Sequence, residues 1–228
     1  MRILAVETSC REASVAALDG DRLLGQLEFG SEQRTAQVFA SVIDRQWKAV
    51  GWAPGDVQLI VVSQGPGSFT GLRVGVTAAK TLAYATGAQI LGIDTQQVIA
   101  QQTEGDWQEV CVVGDAQRQQ VFVTRFRRSG ARVTPAASSR IIDIPPWLES
   151  LQAGQSVTGP GLARLIDRLP AGVRAAPADH WVPRAATLGR LGYFEHLGGR
   201  RDDMWKLAPV YYRQSAAEEK LAQTRLDA

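Results

Sequence analysis

The sequence predicts an α/β fold made of two similar halves, each a mixed sheet flanked by helices. Three observations predict it. The first hundred residues read β-β-β-α-β-α-β. Their later strands are joined through helices, as parallel crossovers require. The second half then opens on another run of paired strands, which suggests a duplicated architecture. The expected division is 1–105 for the first lobe and 106–228 for a second, degenerate lobe with a C-terminal tail.

In the first half, Arg2–Thr8 is an apolar strand and Ala13–Leu18 a second, turning at Asp19-Gly20 into Leu23–Glu28. Glu32–Val50 carries Val38, Phe39, Val42, Ile43, Trp47 and Val50 at helical spacing, and Gly51 supplies the stop. A strand follows at Val57–Val62, then a glycine-rich turn and a small-residue helix stopped by Gly87. Gln89–Ile93 closes the half. In the second half, Glu109–Val113 and Gln120–Arg127 read as paired strands, with a third available in Arg132–Ile144. Pro145-Pro146 opens a short helix at Trp147–Leu151. Val157–Gly161 is strand-to-turn, Leu162–Leu169 and Ala185–Leu197 are helices, and Leu207–Arg213 is extended before a polar, frayed end.

The segment 63–75, Ser-Gln-Gly-Pro-Gly-Ser-Phe-Thr-Gly-Leu-Arg-Val-Gly, is the most informative stretch. Strand, glycine-rich turn and helix is an arrangement whose free backbone N–H groups can hold an anion. It nevertheless lacks the Gly-Lys-Ser/Thr ending of a Walker A loop and is not Gly-x-Gly-x-x-Gly. Gly67, Gly71, Gly75, Ala79 and Ala83 recur every four residues, forming one stripe on the helix. Glycine within a helix costs about 1 kcal/mol against alanine, so the stripe needs a close packing partner. Two are open: the chain's own sheet and neighbouring helix, or another subunit.

Composition excludes several classes. The 228 residues are 45% hydrophobic and 21% charged with a net charge of +2, ordinary for a soluble domain and without a strong nucleic-acid or membrane signal. Arginines outnumber lysines but are scattered. Cys10 and Cys111 have no metal or disulfide-framework spacing and read as reduced thiols. Only four apolar residues separate Arg2 from Glu7, too few for a signal-peptide core, and the uncharged stretch around 81–93 falls short of a membrane span. A cytoplasmic location is expected.

Four segments carry a resemblance over essentially the whole chain: Ile3-Leu4-Ala5-Val6-Glu7-Thr8-Ser9, Gly65-Pro66-Gly67-Ser68-Phe69-Thr70-Gly71-Leu72-Arg73-Val74-Gly75, Asp115-Ala116-Gln117-Arg118 and Leu207-Ala208-Pro209-Val210-Tyr211-Tyr212-Arg213. They resemble the TsaB (YeaZ) family of bacterial tRNA threonylcarbamoyladenosine (t6A) biosynthesis. The resemblance implies the two-lobed ASKHA fold shared by actin, Hsp70 and sugar kinases, a ribonuclease-H-like duplication. It implies a non-catalytic partner of the catalytic paralogue TsaD, joined by the ATPase TsaE, in a complex acting on adenosine 37 of ANN-decoding tRNAs. tRNA would then be reached through the complex. Pairing would use helices of the first lobe, with a homodimer as an alternative. The interface residues this implies are Val38, Phe39, Val42, Trp47, Gly71, Gly75, Ala79 and Ala83. Two positions depart from the family: Glu7 stands where aspartate is usual, and Thr35 where a histidine is common.

Catalysis by the chain alone is not expected. The catalytic paralogue holds a metal with a His-x-x-x-His pair, which puts two imidazoles on one helical face. Here the histidines are His180 and His196, sixteen residues apart. Thr8, Ser9, Gly65, Gly67 and Ser68 are candidate remnants of phosphate-binding turns. The second-lobe counterpart, Gly114-Asp115-Ala116-Gln117, has the acid but lacks a Gly-Gly tight turn. The expectation is no cofactor held by this chain alone, with ATP admitted at the complex interface. The competing reading is a stand-alone ASKHA-type ATPase or kinase.

Overall fold

A computed structural model describes residues 1–30 and 35–212. The expectations for Glu32–Arg34, the Thr35 side chain, Arg213 and the frayed end lie outside the described residues.

The first sheet has the order β3-β2-β1-β4-β5. Its strands are β1 (Arg2–Glu7), β2 (Ala13–Asp19), β3 (Arg22–Phe29), β4 (Leu59–Gly65) and β5 (Gln89–Asp94). β1–β2 and β2–β3 are antiparallel, whereas β1–β4 and β4–β5 are parallel. The second sheet has the order β11-β10-β6-β7-β8, with β9 also on β7. Those strands are β6 (Glu109–Asp115), β7 (Gln120–Ser129), β8 (Arg132–Pro135), β9 (Arg140–Asp143), β10 (Ser156–Thr158) and β11 (Arg174–Ala175). Here too an antiparallel hairpin continues into two parallel strands. The duplication expected from the strand order is therefore present, sheet for sheet.

Helices α1 (Thr35–Val50) and α2 (Phe69–Thr86) cover one face of the first sheet. Leu4, Val6, Ile60 and Val62 of the strands meet Phe39, Val42, Ile43, Val76, Ala79 and Ala83 there. The alternation of side chains along a strand sends Ile3, Ala5, Leu59 and Val61 to the opposite face. On that face they pack under α5 (Ala185–Leu197). Although α5 follows the second sheet in sequence, it thus returns to the first.

Helix α3 (Thr95–Gln102) did not stand out in the sequence. Its signal is Asp94 followed by Gln97: the Asp94 carboxylate accepts the Gln97 N–H at 2.9 Å and caps the helix. Ile99 and Ala100 then pack with Val110, Val112 and Phe126 of the second sheet. At pH 5, where no buried charge offsets the lost cap, Asp94→Ala is expected to cost about 1 kcal/mol, read as a lower urea midpoint at unchanged slope.

The second lobe is thinner than expected. Arg132–Ile144 is not one strand but two, β8 and β9, both paired with β7. The helix expected at Leu162–Leu169 is instead two 3-10 turns, Pro160–Arg164 and Ile166–Arg168. The helix opened by Pro145-Pro146 is α4 (Ile144–Glu149), which starts and ends earlier than the spacing suggests. The connections β9–β10 and β10–β11 therefore lack the long helices of the first lobe, and one face of the second sheet is only partly covered.

Candidate functional site

The lobes face each other across a cleft of about 720 Å3. The first lobe contributes the β1–β2 turn (Ser9–Glu12) and the loop Pro66–Thr70. The second contributes the β6–β7 turn around Asp115–Arg118, and the C-terminal segment adds Val210, Tyr211 and Tyr212.

The first-lobe turn is held against α2. The Thr8 hydroxyl, fully buried, donates to the Gly71 carbonyl at 2.8 Å. Ser68 N–H donates to the Ser9 carbonyl at 2.6 Å. A Cβ on Gly71 would overlap the Thr8 carbonyl oxygen, and one on Gly75 the Thr8 hydroxyl; one on Gly67 would lie 2.5 Å from the Ser9 carbonyl oxygen. The glycine stripe thus exists because the β1–β2 turn sits directly on the helix backbone.

That geometry corrects two expectations. Gly71, Gly75, Ala79 and Ala83 are buried in the chain's own core, as are Phe39 and Val42, so none offers surface to a partner. Val38 and Trp47 are half-buried against the same core. The outer faces of α1 and α2 carry Ser41, Arg45, Arg73, Thr77 and Tyr84 instead, Tyr84 being 72% exposed. The helix start is also less available to an anion than the loop suggests. Ser68 N–H is taken by Ser9, Gly71 N–H by the Ser68 hydroxyl at 3.2 Å, and Leu72 N–H by the Ser68 carbonyl.

Of the candidate phosphate residues, Ser9, Gly67 and Ser68 line the cleft. Thr8 does not, its hydroxyl being committed to Gly71. Gly65 does not either: it lies at φ 117° and the C-terminal segment crosses it, with Val210 N–H donating to the Gln64 carbonyl at 2.7 Å. A Cβ on Gly65 would lie 2.6 Å from the Val210 carbonyl oxygen.

The second-lobe turn is shaped without glycines. Gln117, Arg118 and Gln119 all have positive φ, a conformation that disfavours ordinary side chains. The Asp115 carboxylate accepts the Gln117 N–H at 2.7 Å and pairs with Arg164 at 3.0 Å. The one acid of this turn is thereby engaged. At the cleft mouth, Tyr211 stacks on Phe69 of the first lobe, with centroids 4.5 Å apart, and Tyr212 meets Phe122 of the second at 5.9 Å. Arg73 lies over the Phe69 ring at 3.8 Å. The C-terminal aromatics bridge the two lobes; spacing alone did not reveal this.

Glu7, beside the cleft, is a strongly perturbed carboxylate. Its side chain is fully buried, accepting the Ser9 N–H at 2.6 Å and the Ser63 hydroxyl at 3.1 Å through Oε1. Its Oε2 has no partner among the described residues. Burial raises its pKa to about 7 despite those hydrogen bonds. Burial, and then the Glu7 charge, push the Cys10 thiol up to about 12, so it stays protonated and a poor nucleophile at neutral pH.

The histidines are apart. His180 ends a 3-10 turn and its Nδ1 accepts the Glu104 N–H at 3.3 Å. His196 is in the last turn of α5, but burial and the neighbouring Arg201 lower its pKa, so the helix end does not hold it as a cation. Among the described residues no group of three or more His, Cys, Asp or Glu is placed to hold a metal ion. No described helix is long and apolar enough to cross a membrane.

Residues 31–164, more than half of the chain, match the family model for TsaD, tRNA N6-adenosine threonylcarbamoyltransferase. The chain belongs to the TsaD family. Within it the TsaB (YeaZ) members match end to end. The tRNA threonylcarbamoyladenosine biosynthesis protein TsaB of Bacillus subtilis is 27% identical, over 96% of this chain and 97% of its own. The Escherichia coli TsaB is 29% identical, over 97% and 98%. In structure, a Pseudomonas aeruginosa protein described as similar to peptidase YeaZ superposes with a TM-score of 0.79 at 23% identity, over 93% of this chain and 99% of that one. The two-lobed ASKHA-type fold follows from the same likeness, and the TsaB (YeaZ) resemblance read from the four segments is borne out.

Proposed function

We propose that this chain is the non-catalytic scaffold of the assembly that transfers threonylcarbamoyl to adenosine 37 of ANN-decoding tRNAs, acting in the cytoplasm in t6A biosynthesis. It docks a TsaD-like catalytic subunit and, with it, a TsaE-like ATPase. The observation that carries the reading is the end-to-end match to proteins named for threonylcarbamoyladenosine biosynthesis. The separation of His180 from His196 supports a non-catalytic role, because a shared metal needs both imidazoles within reach of one ion.

The docking surface is the outer face of α1 and α2, not the glycine stripe. The two helices lie side by side on the first sheet, so partner helices would extend an existing layer. Arg45→Glu combined with Tyr84→Glu is expected to abolish co-purification with the TsaD homologue without changing Tm, since both side chains are exposed. Retained co-purification overturns this placement.

The interlobe cleft keeps the stand-alone ATPase or kinase reading in play. The test is threonylcarbamoyl transfer to tRNA by the organism's TsaD and TsaE homologues, with and without this chain, alongside ATP hydrolysis by the chain alone. Transfer that depends on the chain, with no hydrolysis by it alone, is expected. Hydrolysis by the isolated chain, with transfer indifferent to it, overturns the scaffold reading.

A further inference from the structure

Arginines scattered along the second half converge on one groove. The face of the second sheet that α4 and the 3-10 turns leave partly uncovered forms a depression of about 660 Å3. Arg125 and Arg127 come from β7, where they follow Val121 and Val123 at alternate positions and so share their face. Arg140 of β9 is paired directly with Val123 and joins them. Arg174 of the edge strand β11 closes the set. Arg127 is neutralised by Glu109 at 2.6 Å, and Asp106 adds a second acid to the lining. Arg125, Arg140 and Arg174 are exposed and make no ion pair among the described residues.

We propose that this groove binds the phosphate backbone of an RNA. Three exposed guanidiniums on three different strands line one depression open to solvent, which suits a chain of phosphates better than a single small anion. Trp107 and Trp147 line the same groove but are themselves buried, so they do not serve as stacking platforms for bases. The contact is therefore to backbone, positioning the RNA without reading its sequence. The choice of RNA among polyanions rests on the t6A reading above.

The test is binding of an unmodified tRNA transcript to the full chain by fluorescence anisotropy across a salt series. Arg125→Ala, Arg140→Ala and Arg174→Ala combined should weaken binding at least tenfold at low salt and reduce the salt slope by about 2 to 3, each lost phosphate contact removing somewhat under one unit. The triple lysine variant should restore the slope, since charge is kept. An unchanged slope and affinity in a folded alanine variant, or lysine variants that fail to rescue, overturns the proposal. Co-purification with the TsaD homologue is measured on the same variants. Its retention together with lost RNA binding is the expected pattern, and its failure in the unmodified chain would count against the scaffold reading while leaving the RNA result to stand alone.

Discussion

Gly71→Ala is expected to destabilise the chain by about 3 kcal/mol, at the upper end for an added methyl in a packed interior. For a domain of this size that lowers Tm by about 6–12 °C. Helix propensity alone predicts the opposite sign, because alanine in a helix interior is favoured over glycine by about 1 kcal/mol. The deciding fact is steric. The new Cβ would overlap the backbone oxygen of Thr8, which a rotamer change cannot move. That oxygen belongs to a turn itself pinned by the Thr8 hydroxyl to Gly71 and by Ser68 N–H to Ser9. Helix and turn must therefore separate together. Thermal unfolding measures the loss, and co-purification should fail only as far as folding fails. A variant with unchanged Tm that no longer binds a partner would return the stripe to a subunit interface.

Stability should fall as pH rises from about 4.5 to about 7, and Glu7 is the main cause. Its folded pKa, about 7, lies above the 4.5 of the free group because burial penalises the charged form. In that interval the folded state holds a proton that the unfolded state has released, so the slope of unfolding free energy with pH is negative. The stabilising contribution is complete below 4.5 and is lost above 7, amounting to about 3 kcal/mol. Asp94, raised by burial to about 6 from 3.8, adds the same sign between those values. Glu7→Gln should flatten most of the trend and raise stability at pH 8 by about 2–3 kcal/mol, because Oε1 can still accept from Ser9 and Ser63 while the buried charge is gone. Urea unfolding at pH 5 and pH 8 reads both effects. A native chain equally stable at the two values would mean that neither Glu7 nor Asp94 holds a proton at pH 5.

Much of the fold was legible from local pattern. Hydrophobic periodicity and glycine stops placed α1, α2, α5 and the strands of the first sheet to within a few residues. Helix α3 was missed because its apolar positions are few, and only the Asp94–Gln97 cap marks its start. The second-lobe helix expected at Leu162–Leu169 was misread because Pro160-Gly161 and the apolar positions after it also fit a 3-10 turn. The candidate site was legible as a set of loops, but not as a cleft. Ser9, Gly67 and Ser68 line it together with Asp115 only because turns of two sheets, far apart in sequence, are brought to one cleft.

The four-residue repeat of small side chains by itself determined that something packs tightly against α2, since period and residue size are local properties. It could not say what. A stripe against Thr8 and a stripe against another subunit read identically, because the contact spans more than sixty residues of chain. The return of α5 to the first sheet and the gathering of Arg125, Arg140 and Arg174 were likewise decided by tertiary structure. Strand pairing sets which distant residues share a face, and no periodicity within one element records the register of another.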